Sequence, residues 1–124
     1  MIRKNIKTNI MEKKNTYFVD IDGTIFKYRK FETYESSLPE VIPSSLEYLQ
    51  KVKDEGHMII LTTARPDWLF ELTVRELKVN KIPFDRLIMG IERGPRYLIN
   101  DMDPNKPGER AIAINLERDG GIKS

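Results

Sequence analysis

The chain has 124 residues, enough for one domain with a single core and too few for a second. Its 21 lysines and arginines against 19 aspartates and glutamates leave a net charge of +2, too small to support a nucleic-acid-binding role. It has no cysteine, so disulfides, thiolate metal sites and cysteine nucleophiles are excluded, and any chemistry must use oxygen and nitrogen groups.

Residues 1–15 carry Arg3, Lys4, Lys7, Lys13 and Lys14 against Glu12 alone and show no periodicity, which reads as a flexible, solvated basic segment. Met11 is a second candidate for the start. The N-terminus lacks the apolar core of a signal peptide, and no apolar stretch approaches about eighteen residues, so a soluble cytoplasmic protein without a membrane partner is expected. Residues 16–124 are expected to form one domain.

Apolar runs alternate with helical patterns, the signature of parallel strands joined by crossover helices. The first strand is 17–21 (YFVDI). Residues 26–36 (FKYRKFETYES) partly alternate, predicting a small hairpin flap within about 25–40, with Tyr28, Arg29, Lys30, Phe31 or Tyr34 leaning either on a substrate or on the body. Over 41–55, Val41, Leu46, Leu49 and Val52 share a helical face, with Pro43 in the first turn and Gly56 as the stop. Residues 57–63 (HMIILTT) read as a strand covered on both faces. A helix follows over 68–79, with Trp68 packing at its start or bordering the pocket, the former preferred, and Pro83 closes it. Further strands are predicted at 87–90, 96–101 and 111–116, with a Pro- and Gly-containing loop over 102–110. Met58, Met89 and Met102 read as gap fillers, and His57 as a loop residue. The expected fold is therefore α/β, a Rossmann-like three-layer sandwich with a mostly parallel five-stranded sheet.

Three of these strands deliver polar groups to the carboxyl edge of the sheet, where open parallel sheets bind ligands. They are Asp20 with Asp22, then Thr62 and Thr63 with Arg65, then Asp101 with Asp103 and Asn105. Carboxylates without Cys or an adjacent His suit a hard cation such as Mg²⁺, which takes part of its shell from a phosphate. The Thr63 hydroxyl and the main-chain amides that follow it, from Ala64, can hold a phosphate oxygen. Ionised Asp20 can attack phosphorus once a metal suppresses anion repulsion, and Asp22 can protonate the leaving oxygen and then deprotonate water.

The DIDGT of Asp20 to Thr24, the IILTTAR of Ile59 to Arg65 and the YLINDMDPN of Tyr97 to Asn105 resemble the first, second and fourth motifs of the haloacid dehalogenase superfamily. The resemblance implies a Rossmann-like sheet with Asp20 as nucleophile and Asp22 as general acid and base. It further implies that Asp20, the main-chain carbonyl of Asp22 and Asp101 bind Mg²⁺, and that Thr63 binds the transferring phosphoryl group. Aspartate at the second position of the first motif resembles the phosphatase branch. The third motif departs from the family pattern, because no lysine falls between Lys81 and Lys106. Arg93 is the first candidate for its place and Arg96 the second. Neither 25–40 nor 68–96 has room for a cap domain.

The expectation is a small, capless, Mg²⁺-dependent phosphomonoester hydrolase acting through a phospho-aspartate. Its expected substrate is a phosphorylated small molecule, a sugar phosphate before a nucleotide, with an open site that an oligomer partner can help enclose. A degenerate scaffold of the same superfamily and a receiver-like phosphate-binding module are the alternatives. Against a receiver, the third strand ends in Met89-Gly90 without an acid.

Overall fold

The computed structural model describes residues 14–123, so most of the expected basic segment, Met11 included, lies outside the described residues. Strands β1 (Thr16–Asp20), β2 (Met58–Thr62) and β3 (Arg86–Ile88) form a parallel sheet in the order β1-β2-β3. Tyr17 stands beside Ile59 and Asp20 beside Thr62, and Thr62 stands beside Ile88, so three strand ends line up at one edge. The crossovers are helix α1 (Pro43–Asp54) and helix α2 (Phe70–Val79), each close to its predicted range. Pro43 opens α1, where its missing N–H has no helical partner to lose.

The core lies between the sheet and the helices. Val19 of β1 and Ile59 and Leu61 of β2 meet Leu49 and Val52 of α1 and Leu77 of α2. Alternation along a strand sends the other residues to the opposite face, where Phe18, Met58 and Ile88 are exposed. Among the described residues the protein therefore has two layers and three strands, not the three layers and five strands expected. Residues 96–101 and 111–116 run without sheet partners, and Tyr97, Ile99, Ile112 and Ile114 are each more than 60% exposed. The physical reason is connection length. Residues 89–95 separate the end of β3 from residues 96–101, and a parallel crossover needs about a dozen residues or more.

The flap also differs from expectation. An antiparallel bridge between Phe26 and Val41 closes its base, but its tip is a single 3₁₀ turn (Phe31–Thr33), not a hairpin. Hydroxyls drive this choice: Thr33 Oγ1 donates to the Lys30 carbonyl at 2.7 Å and Ser37 Oγ donates to the Thr33 carbonyl at 2.6 Å. Trp68, expected to pack at the helix start, is exposed and meets the flap residue Phe31 edge-to-face, with ring centroids 5.9 Å apart. Met58 and Met102 are exposed and fill no gap. His57 is a loop residue as read; its Nδ1 accepts the Asn15 N–H at 3.0 Å.

After the irregular segment the chain returns to the body. The Asp119 N–H donates to the Gly23 carbonyl at 2.8 Å, and Ile122 enters the core. Gly121 makes the return possible: it has φ +82°, and a Cβ there would collide with Ser44 and Ile42. Buried Ser45 fastens the junction, donating to the Thr24 carbonyl at 2.6 Å and accepting the Ile122 N–H at 3.0 Å. No helix among the described residues is long and apolar enough to cross a membrane.

Candidate active site

β1 ends at Asp20, and the turn that follows re-aims the chain. The N–H groups of Thr24, Ile25 and Phe26 converge on the Ile21 carbonyl, and Gly23 takes φ +88°, a conformation costly for other residues. Asp20 and Asp22 thus stand at the same sheet edge but in different surroundings.

The Asp20 carboxylate is half-exposed. Thr24 Oγ1 donates to its Oδ2 at 3.3 Å, and Arg96 Nη2 lies 3.9 Å from its Oδ1. Burial pushes the Asp20 carboxyl above the ordinary carboxylate range; Arg96 opposes that rise, and the charge of Asp22 adds to it.

Asp22 is fully engaged. Arg65 grips it with two parallel bonds, Nη2 to Oδ1 and Nε to Oδ2, each 2.8 Å, and the Tyr34 hydroxyl donates to Oδ2 at 2.9 Å. Arg65 has a side chain only 1% exposed. Its Nη1 donates to Glu76 Oε1 at 2.9 Å and to Thr73 Oγ1 at 3.0 Å, both from α2, while Arg29 Nη2 donates to the same Glu76 oxygen at 2.7 Å. The Tyr34 ring lies under both guanidinium groups. Burial alone would lower the Arg65 pKa, but Asp22 and Glu76 outweigh it and hold the guanidinium above its ordinary value. Tyr34 is pushed up to about 12 by burial and by the Asp22 charge, so it remains a hydrogen-bond donor.

Two cations and two anions thus make one buried, neutral network that fixes Asp22. Sequence reasoning placed Arg65 at the sheet edge without giving it a role. The available signal was Glu76, a charged residue on the same helical face as core residue Leu77.

The remaining predicted residues are distributed as follows. Thr63 is buried; its N–H donates to the Ile88 carbonyl at 2.9 Å, and its Oγ1 accepts the Arg65 N–H at 3.1 Å. Ala64 is half-buried in the turn after β2. Arg93 is exposed, with its guanidinium 6.0 Å from the centre of the Phe31 ring, so the cation beside Asp20 is Arg96. Asp101 is exposed on the irregular segment, where it accepts from Asn100 Nδ2 at 3.3 Å. Among the described residues no three acidic or histidine side chains gather closely enough to hold a metal ion. Asp20 and the main-chain carbonyl of Asp22 are the right donor types for a hard cation, so the chain fits Mg²⁺ in chemistry while supplying part of the donor set.

Residues 17–88 match the family model of the haloacid dehalogenase-like hydrolases. Comparison with curated proteins finds no match. Among solved structures, a structural-genomics target from Vibrio cholerae is similar with a TM-score of 0.54 and 19% identity, covering 68% of this chain and 79% of that one. A chain of the Pnkp1/Rnl/Hen1 complex is similar with a TM-score of 0.56 and 21% identity, covering 68% of this chain and 31% of the other. These two likenesses are of fold, whereas the family match spans more than half of the sequence and includes Asp20, Asp22 and Thr63. The chain belongs to the haloacid dehalogenase-like hydrolases.

Proposed function

We propose that this protein is a capless, Mg²⁺-dependent phosphomonoester hydrolase that works through a phosphorylated Asp20. The observation that carries this reading is the asymmetry between two neighbouring carboxylates: Asp22 is clamped by Arg65 and Tyr34, while Asp20 faces the open edge with oxygens to spare. Two such groups in different environments divide the work of nucleophile and proton carrier.

An Asp20 oxygen forms a bond to phosphorus as the bond from phosphorus to the leaving oxygen breaks, and that oxygen takes a proton carried on Oδ1 of Asp22, which accepts one bond from Arg65 and keeps a lone pair free. Water then attacks the acyl phosphate, gives a proton to Asp22, and releases phosphate with the Asp20 carboxylate restored. Arg65 and Tyr34 fix the Asp22 carboxyl through both steps. Arg96 supplies positive charge near the phosphoryl oxygens, with Thr63 and the Ala64 amide as further donors. A bound Mg²⁺, held by Asp20 and the Asp22 carbonyl, would neutralise the phosphate and screen it from the attacking anion.

The substrate class is a phosphorylated small molecule, a sugar phosphate before a nucleotide. The open sheet edge admits either. Hydrolysis of p-nitrophenyl phosphate with Mg²⁺, measured beside Asp20→Asn, tests the reading. Loss of turnover in the variant is expected, and equal rates in the two proteins would sink the phosphatase claim.

A further inference from the structure

We infer that two copies of this chain exchange residues 97–117, so that each active site is completed by Asp101 of the partner subunit. The donor-set half of this inference rests on the hydrolase reading above; the exchange itself does not.

The exchanged segment is anchored at both ends but barely touches its own body. At its start the Gly90 N–H donates to the Arg65 carbonyl at 2.8 Å, and the Ile91 N–H donates to the Thr63 carbonyl at 3.3 Å. At its end Asp119 bonds to Gly23. Between them the recorded contacts with the body are the 3.9 Å approach of Arg96 to Asp20 and the Arg93 ring contact. Loops beyond about 12–15 residues with no secondary structure are uncommon in compact domains, and this one has the composition of strands. Tyr97 is 86% exposed, Ile99 89% and Ile112 71%, side chains that ordinarily seek a partner surface.

The body offers that surface. β1 is the edge of the sheet, with β2 on one side and no strand on the other among the described residues. On the uncovered face this edge strand exposes Phe18, and Met58 lies beside it in β2, so the border is apolar. An open edge with an apolar border is a template for another strand.

The chain's own segment cannot take the place in parallel. It would have to leave β3, pass β2 and β1, and return to the start of β1 within residues 89–96, short of the dozen or so that a parallel crossover requires. A second copy carries no such tether. Every copy has both the open edge and the free segment, so reciprocal pairing closes as a twofold dimer. Setting Asp101 level with Asp20 puts Tyr97 beside Thr16 and Ile99 beside Phe18, so five residues match the five of β1. That register brings the third carboxylate to the Asp20 edge, where the described residues of one chain provide no three-acid cluster.

The absence of cysteine allows a direct test. Phe18→Cys and Ile99→Cys are made singly and together, and the chains are oxidised mildly after refolding. Adjacent strands place such a pair within disulfide reach. Light scattering of the unaltered protein should give a dimer. The mixed single-cysteine chains, and the doubly substituted chain, should form covalent dimers on a non-reducing gel. A monomer in solution, a disulfide closed within one chain, or no cross-link overturns the exchange.

Activity provides the second arm. Asp20→Asn and Asp101→Asn chains, each inactive, are unfolded and refolded together in equal amounts. Exchange rebuilds one intact site per mixed dimer, about a quarter of all sites and hence about a quarter of the unaltered activity. Cross-linking without any activity in the unaltered protein sinks the hydrolase reading and leaves the exchange standing. Cross-linking in an active protein without complementation sinks the assignment of Asp101 to the partner's site.

Discussion

Replacing Arg65 by Met tests whether the buried network, and not the metal-facing edge, holds Asp22 in place. Methionine has roughly the volume of the arginine stem, so the change removes charge and hydrogen bonds with little cavity. The side chain is 1% exposed and its loss strands Asp22, which is 12% exposed, while Glu76 keeps Arg29 at 2.7 Å. One orphaned carboxylate in a largely buried site corresponds to about 3 kcal/mol, the lower end for breaking a buried pair, because a second cation remains nearby. Asp22→Asn alone removes the anion facing Nε and Nη2 of Arg65, while Glu76 keeps Nη1, and should cost about 1–3 kcal/mol. Combining the two leaves Arg29 and Glu76 as a neutral pair, so in the Arg65→Met background Asp22→Asn should become stabilising by about 1–2 kcal/mol. Urea denaturation followed by far-ultraviolet circular dichroism measures all four corners of this cycle. An Arg65→Met cost under about 1 kcal/mol, or additive effects in the double variant, would refute the claim that the network is balanced around Asp22.

Asp20→Asn should raise the melting temperature while abolishing turnover. The folded pKa of Asp20 is raised, so the folded state holds its proton more tightly than the unfolded chain does. The associated stability is present below the unfolded value near 4 and is lost as pH rises through the folded value. The gain for the asparagine variant in thermal melts should therefore be larger at pH 7 than at pH 3, and a variant less stable at pH 7 contradicts the assignment. Ser45→Ala leaves the Thr24 carbonyl and the Ile122 N–H unpaired in the core, so denaturant unfolding should show a loss of about 1–3 kcal/mol. Arg96→Ala should slow hydrolysis by about 10²–10³-fold, as loss of a transition-state donor does, while Arg93→Ala stays near unaltered activity. Equal losses in steady-state assays would put both arginines on the phosphate.

The readable parts of this fold are those where a local pattern and a tertiary demand agree. β1, α1, β2 and α2 carry periodicities that survive packing, and Asp20 and Asp22 declare themselves because a strand that stops at Asp-x-Asp-Gly has nowhere else to put its carboxylates. The flap tip was not readable, because serine and threonine hydroxyls chose among turns that the alternation of FKYRKFETYES does not distinguish. Arg65 was ambiguous for a different reason. Its partners lie in the turn after β1 (Asp22) and on α2 (Thr73 and Glu76), and nothing local ties a guanidinium after β2 to a glutamate one turn from the end of α2.

Residues 96–101 carry a subtler lesson, since their apolar pattern predicts a strand and the structure forms none there. Strand propensity is a property of a few residues, whereas membership of a parallel sheet also requires a connection long enough to return across it. The eight residues between Ile88 and Tyr97 are too few for that return. The conflict also bears on chemistry, because the residue stranded by it is Asp101, the third acid of the candidate site. A chain that keeps a strand-forming segment, an acid at its end and a connection too short for its own sheet is built so that folding one copy leaves the site unfinished. In the proposed hydrolase the setting of Asp20 then depends on assembly: Arg96 approaches it from its own chain, and the remaining anion arrives with the second.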